Sequence, residues 1–265
     1  MTNSLIHLNL AWGLAKRDFS ARFRGSILGA FWMIVNPLFT LAIYYYVFSL
    51  IFKARWQVLL PSGEDAEAPS ALVLFMGLIC FNFFSECFNR APGLIRENPS
   101  YVKKIVFPLE IMPLVSITSA LFTATINICL LFLFYVFSVG LPSWQALLLP
   151  LTFLPLVIGC LGLVYCLSAL GIYLPDLKSL VGPISMSFMF LTPIMYPVSI
   201  VPDKIRNYVL LNPLTHIVEQ TRAVFFAQTL PMWTHWLVLM GGSVLFLALS
   251  FWMFRKLRKG FADVL

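Results

Sequence analysis

The chain has 265 residues, of which 60% are hydrophobic and only 11% are charged, and its mean hydropathy is +0.89. This composition excludes an ordinary water-soluble domain, which needs far more charge on its surface. The net charge of +7 does not indicate a nucleic-acid partner, because the basic residues lie at the ends of apolar segments and not in one patch with interleaved aromatic side chains.

The first 24 residues predict an amphipathic helix. Apolar side chains recur at spacings of three and four from Leu5 to Phe23, which places them on one helical face. We expect residues 1–24 to lie in the membrane interface, anchored by their basic side chains. The alternative is a helix that packs against its own protein. The predicted anchor residues are Lys16, Arg17, Arg22 and Arg24.

Six segments are predicted to cross the membrane as helices. No charge occurs between Arg24 and Lys53 or from Ile111 to Pro175, and about 20 apolar residues suffice for one crossing. The second stretch is long enough for two helices with a turn at Gly140–Trp144. Asn36-Pro37 is expected to break or kink the first span. The predicted spans are 26–52, 70–88, 108–139, 144–170, 180–195 and 234–254.

These spans predict an all-α membrane protein with a single domain, residues 1–265. With the N-terminus inside, 13 of the 18 Lys and Arg residues fall on the cytoplasmic side and 5 on the outer side. This distribution obeys the positive-inside rule and predicts that both termini are cytoplasmic. Residues 53–69 are then a polar outer loop.

Residues 198–230 are too polar to cross and are predicted to form an outer gate of two half-inserted helices, divided at Asn212-Pro213. His216, Glu219 and Arg222 fall on roughly one helical face of the second piece. A metal site or an acid–base dyad is one interpretation of the His and Glu, and a satisfied polar cluster is the favoured one.

No residue pattern indicates catalysis. The five cysteines lie in apolar runs without CxxC spacing, so neither a metal site nor a disulfide is expected. The chain has no Gly-rich loop that could cradle a phosphate, so we do not expect it to hydrolyse nucleotide or to bind a cofactor.

Three motifs carry a resemblance to a known family: RFRGSILGAFWMIVNPL (22–38), LTPIMYP (Leu191–Pro197) and LLNPLTHIVEQTR (Leu210–Arg222). The chain resembles the membrane subunit of ABC-2-type exporters, and within them the permeases for lipid-linked polysaccharides such as O-antigen, capsule and teichoic acid. The resemblance implies a homodimer in the bacterial inner membrane. Its partners would be two copies of a separate cytoplasmic ATPase, which bind ATP and Mg²⁺, and the cargo is expected to be O-antigen.

The resemblance also implies that two inner loops receive the movement of the ATPase. Asn98-Pro99 can start a short helix in the first of them, and its basic residues can meet acidic groups on a partner or lipid headgroups. The alternative is that these charges only set the topology. The predicted coupling residues are Arg96, Glu97, Asn98, Tyr101, Lys103, Lys104, Asp176 and Lys178.

Aromatic side chains in spans 1 and 5 are predicted to line a conduit for the polysaccharide. Sugar rings stack their C–H faces on aromatic rings, although an interfacial belt or dimer packing explains the same residues. Seven residues form this set: Tyr44, Tyr45, Tyr46, Phe48, Phe188, Phe190 and Tyr196.

Two interpretations stay open for three ionisable residues near the ends of the spans. Glu86, Arg90 and Glu110 are either structural pairs, which is favoured, or functional groups. No acidic residue lies near mid-bilayer, which argues against proton-coupled transport. Competing functions are export of a drug or small lipid in the same fold, a membrane-embedded lipid-modifying enzyme, and a scaffold without transport.

Overall fold

The computed structural model describes residues 12–18, 29–51, 56–59, 65–99 and 108–264. Residues 12–18 form an N-terminal helical segment, and a bundle of helices follows. The helices are α1 (Trp32–Tyr44), α2 (Ser70–Arg90), α3 (Ile111–Ser138), α4 (Leu149–Tyr173), α5 (Leu177–Leu191), α6 (Asp203–Leu211), α7 (Pro213–Phe225) and α8 (Trp233–Leu257).

Five helical stretches of the described chain are long and apolar enough to cross a membrane, and they correspond to five of the six predicted spans. The six-span count is not confirmed, because α5 has only 15 residues. Thr192, which follows α5, is extended, since a residue that precedes proline disfavours the helical conformation. The five stretches are Trp32–Ile51, Ser70–Gly93, Ile111–Ser138, Trp144–Tyr173 and Trp233–Gly260.

The first span is helical through Pro37, so Asn36-Pro37 does not break it, and a kink there stays a prediction. Pro37 lies in the second turn of α1, where the backbone bond that it removes is close to the start of the helix. The hydroxyl of Thr40 donates to the carbonyl of Asn36 at 2.9 Å. The helix instead widens at its far end into a π-helical segment, Tyr45–Ile51.

α2 is the central helix of the bundle, and α1, α3, α4, α5 and α7 all contact it. Its spanning window is 72% buried, compared with 6% for α1 and 11% for α8. Ring contacts bind the core together, such as Phe83 with Phe153 at 5.3 Å and Tyr135 with Phe225 at 5.0 Å. The outer helices therefore present apolar faces, as expected of helices that border lipid or a second copy.

The bundle is helical, as predicted, and a short strand pair lies in the loop between α1 and α2. Within the predicted polar loop, β1 (Trp56–Leu59) pairs antiparallel with β2 (Asp65–Ala68), and Trp56 stands opposite Ala68. The sequence of β1 is Trp-Gln-Val-Leu, in which an aromatic and a β-branched residue favour extended backbone. The polarity of this segment predicted a loop and gave no indication of the hairpin.

Candidate functional site

The residues after α2 form a compact turn that holds part of the predicted first coupling segment. A 3-10 turn, Ala91–Gly93, continues α2. Ile95 is buried, whereas Arg96 and Glu97 are exposed. The side-chain amide of Asn98 donates to a backbone carbonyl one turn earlier at 2.9 Å, which closes the turn. Arg96 and Glu97 are thus presented on the surface of a fixed turn.

An ion pair joins this turn to the second predicted coupling segment. Lys178 Nζ, in the first turn of α5, donates to Glu97 Oε1 at 2.5 Å. Asp176 is exposed in the short connection between α4 and α5. The two paired side chains are 64% and 59% exposed, so the pair contributes at most about 1 kcal/mol to stability. We call these two segments, residues 94–98 and 174–178, the coupling surface. Outside the described residues lie Tyr101, Lys103 and Lys104.

Helix α4 packs directly behind the coupling surface. A Cβ atom added at Gly171 would overlap the backbone of Pro92, so only glycine permits this approach. The 3-10 turn that contains Pro92 contacts α4 more extensively than it contacts α2. The turn therefore has its main packing surface on α4.

A second buried cluster connects the coupling surface to the C-terminal end of the chain. Ile95 of the turn is buried together with Tyr165 and Ile172 of α4. The Tyr165 ring meets Phe254 of α8 edge to face at 5.3 Å, and Phe254 meets Phe261 in the same way at 5.6 Å. The turn, α4, α8 and the C-terminal segment thus form one packed unit.

Polar contacts reinforce this unit. Arg258 forms an ion pair with Glu110, and Tyr165 donates its hydroxyl to the backbone carbonyl of Glu110 at 2.8 Å. The hydroxyl of Tyr173 donates to the carbonyl of Leu257 at 2.9 Å. For Glu110, the geometry therefore favours the structural interpretation over a functional group.

The N-terminal helical segment is fastened to the bundle through Asp18. Arg90 donates to both oxygens of this carboxylate at 2.9–3.1 Å, and the hydroxyl of Ser119 donates to it at 2.8 Å. Glu86 lies 4.0 Å from Arg90, which makes Arg90 a cation shared by two acids. The spacing of Glu86 and Arg90 predicted a structural pair, whereas Asp18, the acid among the basic residues of the N-terminal segment, was not predicted as a partner of Arg90.

The apolar face of this segment packs on the protein, which was the alternative to an interface helix. Ala15 is fully buried in a cluster with Ile111, and the Trp12 ring lies 5.1 Å from Phe122. Lys16 and Arg17 are exposed, and membrane anchoring by them stays a prediction. Outside the described residues lie Arg22 and Arg24.

Six of the seven predicted conduit aromatics fall into two groups, one packed against other rings and one exposed. Phe188 is packed into the core against Phe84 at 5.5 Å, and Tyr44 lies 5.9 Å from Phe48 on the same helix. The exposed rings are Tyr45, Tyr46 and Phe190.

Tyr196 follows α5, and its hydroxyl donates to the Phe190 carbonyl at 3.0 Å. Partial burial raises the pKa of the Tyr196 phenol above its ordinary value, which keeps this donor neutral. Of the seven aromatics, the exposed rings remain the better candidates for contact with a passing ligand.

Asn212 separates the two helices of the predicted outer gate. Its Oδ1 accepts from the backbone N–H of Leu214 at 3.0 Å and caps α7, and Pro213 occupies the first position of that helix. Its Nδ2 donates to Thr192 Oγ1 at 2.9 Å. One side chain therefore starts α7 and ties it to the end of α5.

Arg222 of α7 is the most thoroughly bonded side chain of this region. Only 5% of it is exposed, yet it reaches three backbone carbonyls outside its own helix. The guanidinium donates to Val73 of α2 at 3.1 Å, to Pro193 at 2.7 Å and to Ile194 at 2.5 Å. The last two residues follow α5, so the side chain joins α7, α2 and the end of α5.

Three further contacts complete the surroundings of Arg222. Glu219, one turn earlier, accepts from it at 3.2 Å. The guanidinium carbon lies 4.7 Å from the ring centre of Trp56 in β1, a cation–π distance. A Cβ atom at Gly77 would lie 2.5 Å from its Nη2. Gly77 and Trp56, which the sequence analysis did not single out, thus provide space and a stacking surface for Arg222.

The metal and acid–base interpretation of this face receives no support from the geometry. Glu219 is paired with Arg222, and His216 Nε2 donates to the carbonyl of Leu210 at 2.7 Å. Among the residues that the structure describes, no group of three His, Cys, Asp or Glu side chains is placed to hold a metal ion. The geometry favours a satisfied polar cluster that positions helices.

Comparison with protein families gives one match that covers most of the chain. The model of the ABC-2 type transporter family matches residues 9–226. The matched range includes the N-terminal segment, the coupling surface and the helices up to α7.

Several curated proteins are similar over most of their length. The chain is 25% identical to "O-antigen export system permease protein RfbA" of Myxococcus xanthus over 252 residues, 94% of this chain and 93% of the relative. A protein of the same name from Klebsiella pneumoniae is 27% identical over 255 residues, 95% and 93% of the two chains. "Polysialic acid transport protein KpsM" of Escherichia coli is 26% identical over 207 residues, 78% and 77% of the two chains.

Proposed function

This chain belongs to the ABC-2 type transporter family, and we propose that it is the membrane subunit of an ATP-driven exporter of lipid-linked polysaccharide, most specifically of O-antigen. The observation that carries the proposal is the match, over more than nine-tenths of both chains, to relatives named as O-antigen export permeases. The five long apolar stretches support a permease rather than a peripheral subunit.

The exporter is proposed to contain two copies of this chain and two copies of a cytoplasmic ATPase, which bind ATP and Mg²⁺. A separate ATPase is supported by the family membership and agrees with the lack of a phosphate-binding Gly-rich loop in this sequence. Both termini and the coupling surface face the cytoplasm of a bacterial inner membrane in this proposal, in agreement with the charge distribution.

The movement of the ATPase enters at the coupling surface, where Arg96, Glu97, Asp176 and Lys178 are exposed. The Gly171 contact then passes it to α4, and the Tyr165 and Phe254 cluster passes it to α8. The predicted loop residues Tyr101, Lys103 and Lys104 extend the same docking site.

The polymer is proposed to leave the inner leaflet along the exposed aromatic rings of α1 and α5. The outer gate comprises α6 and α7 as half-inserted helices, with Asn212, Pro213, His216, Glu219 and Arg222 holding their positions. This assignment is supported by the bonds of Asn212 and Arg222 to the end of α5, because they couple the gate to that helix.

A capsule polymer is the second candidate cargo, since the similar Escherichia coli protein is named for polysialic acid transport. That relative aligns over a smaller share of both chains than the O-antigen permeases do. The fold and the coupling surface would serve either polymer.

The experiment that tests the proposal is deletion of this chain in its own cell, with separate measurement of lipid-linked glycan inside and polysaccharide at the surface. Loss at the surface with accumulation inside, reversed by the wild-type chain, is the expected result. Unchanged surface polysaccharide without inner accumulation, in cells without a related permease, would contradict it. The chemical composition of the accumulated glycan then distinguishes O-antigen from capsule polymer.

A further inference from the structure

A cavity of about 310 Å³ lies between α1, α2 and α3, and five of its ten lining residues carry uncharged polar side chains. Each helix contributes one amide: Asn36 from α1, Asn82 from α2 and Asn127 from α3. The hydroxyl-bearing residues Thr40 and Thr123 lie beside them. An amide side chain is unfavourable within a membrane span unless it has a hydrogen-bond partner. The convergence of amides from three spans on one cavity therefore requires an explanation.

Asn127 supplies the sharpest observation. Its side chain is only 7% exposed, and its Oδ1 is buried without a hydrogen-bond partner among the described residues. A buried acceptor without a partner is destabilising, whereas a leucine of similar size carries no such penalty. Asn127 lines the cavity, so its amide lies beside any group that enters there.

The chemistry of the lining selects the kind of group. None of the lining residues is charged, so the cavity offers nothing to neutralise a phosphate, a carboxylate or a cation. Amides both donate and accept hydrogen bonds, as sugar hydroxyls require. Trp32 and Phe75 also line the cavity and supply aromatic surface for the C–H face of a ring.

The size of the cavity selects a short ligand. Small-molecule sites occupy about 300–1,000 Å³, and this one is at the lower limit of that range. It therefore suits one sugar residue with its hydroxyls better than a longer stretch of polymer.

We propose that this cavity is a neutral sugar-binding subsite, in which Asn36, Asn82 and Asn127 bond the hydroxyls of one sugar unit of the transported polymer. The proposal rests on the proposed function, since the sugar belongs to the exported polysaccharide. It places polar recognition between α1, α2 and α3, apart from the seven aromatic residues predicted from the sequence. The site discriminates sugars by hydroxyl position, while the exposed aromatics tolerate any ring.

Asn127→Leu tests the proposal because a ligand-binding role and a structural role predict opposite stabilities. If the amide serves a ligand, the variant without ligand unfolds at the same temperature as the wild type or a higher one, since an unpartnered acceptor is removed. Surface polysaccharide falls several-fold in the same variant. Asn82→Leu, at a more exposed position, is the second variant and should show the same transport loss.

Thr125→Val is the matched control on α3. Its hydroxyl is bonded within the helix to the carbonyl of Leu121 at 2.8 Å, and Thr125 does not line the cavity. Its surface polysaccharide should equal that of the wild type. Equal membrane abundance of all variants, measured by immunoblot, makes the comparison valid.

Binding is measured on the full chain in lipid nanodiscs with oligosaccharides released by mild acid from the surface polysaccharide of the same cell. Wild-type protein should bind them, and Asn127→Leu should bind at least ten-fold more weakly. A lower unfolding temperature for Asn127→Leu would show a structural amide and overturn the proposal. Normal export or unchanged oligosaccharide binding by Asn127→Leu would overturn it as well.

These outcomes are separable from failure of the proposed function. If deletion of the chain leaves surface polysaccharide unchanged, the proposed function itself fails. If deletion abolishes export and Asn127→Leu restores it fully, the exporter stands and the sugar subsite is refuted.

Discussion

Two basic side chains of this molecule, Arg222 and Lys178, join segments that are distant in sequence, and they differ in almost every other respect. Arg222 is buried and makes four hydrogen-bonding contacts, to Glu219 and to three backbone carbonyls. Lys178 meets Glu97 in an exposed pair on the coupling surface. Buried charge must be fully satisfied to be tolerated, whereas exposed charge is already solvated and is free to exchange partners.

In the proposed exporter, this difference gives the two regions different roles. The Arg222 region fixes α7, α2 and the end of α5 relative to one another, and a change there should alter the fold. The coupling surface costs little to separate, so an ATPase can replace the contact of Lys178 with contacts of its own. A permease driven from one end needs such a combination of a rigid region and an adjustable surface.

Arg222→Met should have the largest effect on stability. It leaves the carbonyls of Val73, Pro193 and Ile194 without their buried donor, at a cost of roughly 3–5 kcal/mol. Thermal unfolding of the purified chain in detergent measures the change. Arg206→Met is the matched control, because Arg206 also donates to backbone carbonyls, those of Ser199 and Val201, but is partly exposed and pairs with the exposed Asp203; its effect should stay below about 1 kcal/mol. Equal losses in the two variants would remove the distinction between a buried and an exposed arginine.

Gly171→Ala should have an intermediate effect, since its Cβ meets the backbone of Pro92. Overpacking of this kind costs about 1–3 kcal/mol, and we expect export to fall because the turn separates from α4. At Gly241 in α8 an added Cβ meets nothing within 4 Å, so Gly241→Ala should be neutral or stabilising by about 0.5–1 kcal/mol. The unfolding temperature should fall in Gly171→Ala and stay equal or rise in the control variant. A Gly171→Ala protein that is as stable as the wild type and exports normally would refute the transmission path.

Glu97→Lys should have the smallest effect on stability, less than about 1 kcal/mol, because the pair is exposed. Its effect on surface polysaccharide should be much larger, since it reverses a charge on the coupling surface. The double variant Glu97→Lys/Lys178→Glu restores the pair but leaves the two surface charges in exchanged positions. If the double variant exports normally, the pair itself matters and the docking of a partner at these residues does not.

Charge and hydropathy predicted the helical spans well, because a crossing needs a long uncharged run whatever its neighbours are. The end of α5 was predictable from Thr192-Pro193 but was obscured by the apolar residues beyond it. The polar character of the face with Glu219 and Arg222 was also visible in the helical spacing.

The partners of these side chains could not be predicted. Arg222 bonds carbonyls of α2 and of the segment after α5, and a carbonyl carries no signature in the sequence. Asp18 and Arg90 are 72 residues apart, and the short strand pair depends on how the loop folds back. Contacts between distant segments follow from packing, so single-sequence patterns indicate which residues are polar but not what they meet.

The most direct test of the account is photo-crosslinking in the intact cell from position 178 on the coupling surface. A photoreactive phenylalanine analogue replaces Lys178, and a second variant carries it at the exposed Asp203 of α6, on the proposed outer side. We predict a crosslink from position 178 to a protein that contains a nucleotide-binding Gly-rich loop, identified by mass spectrometry, and none from position 203. A crosslink to that ATPase from position 203 but not from position 178 would contradict both the proposed sidedness and the coupling surface.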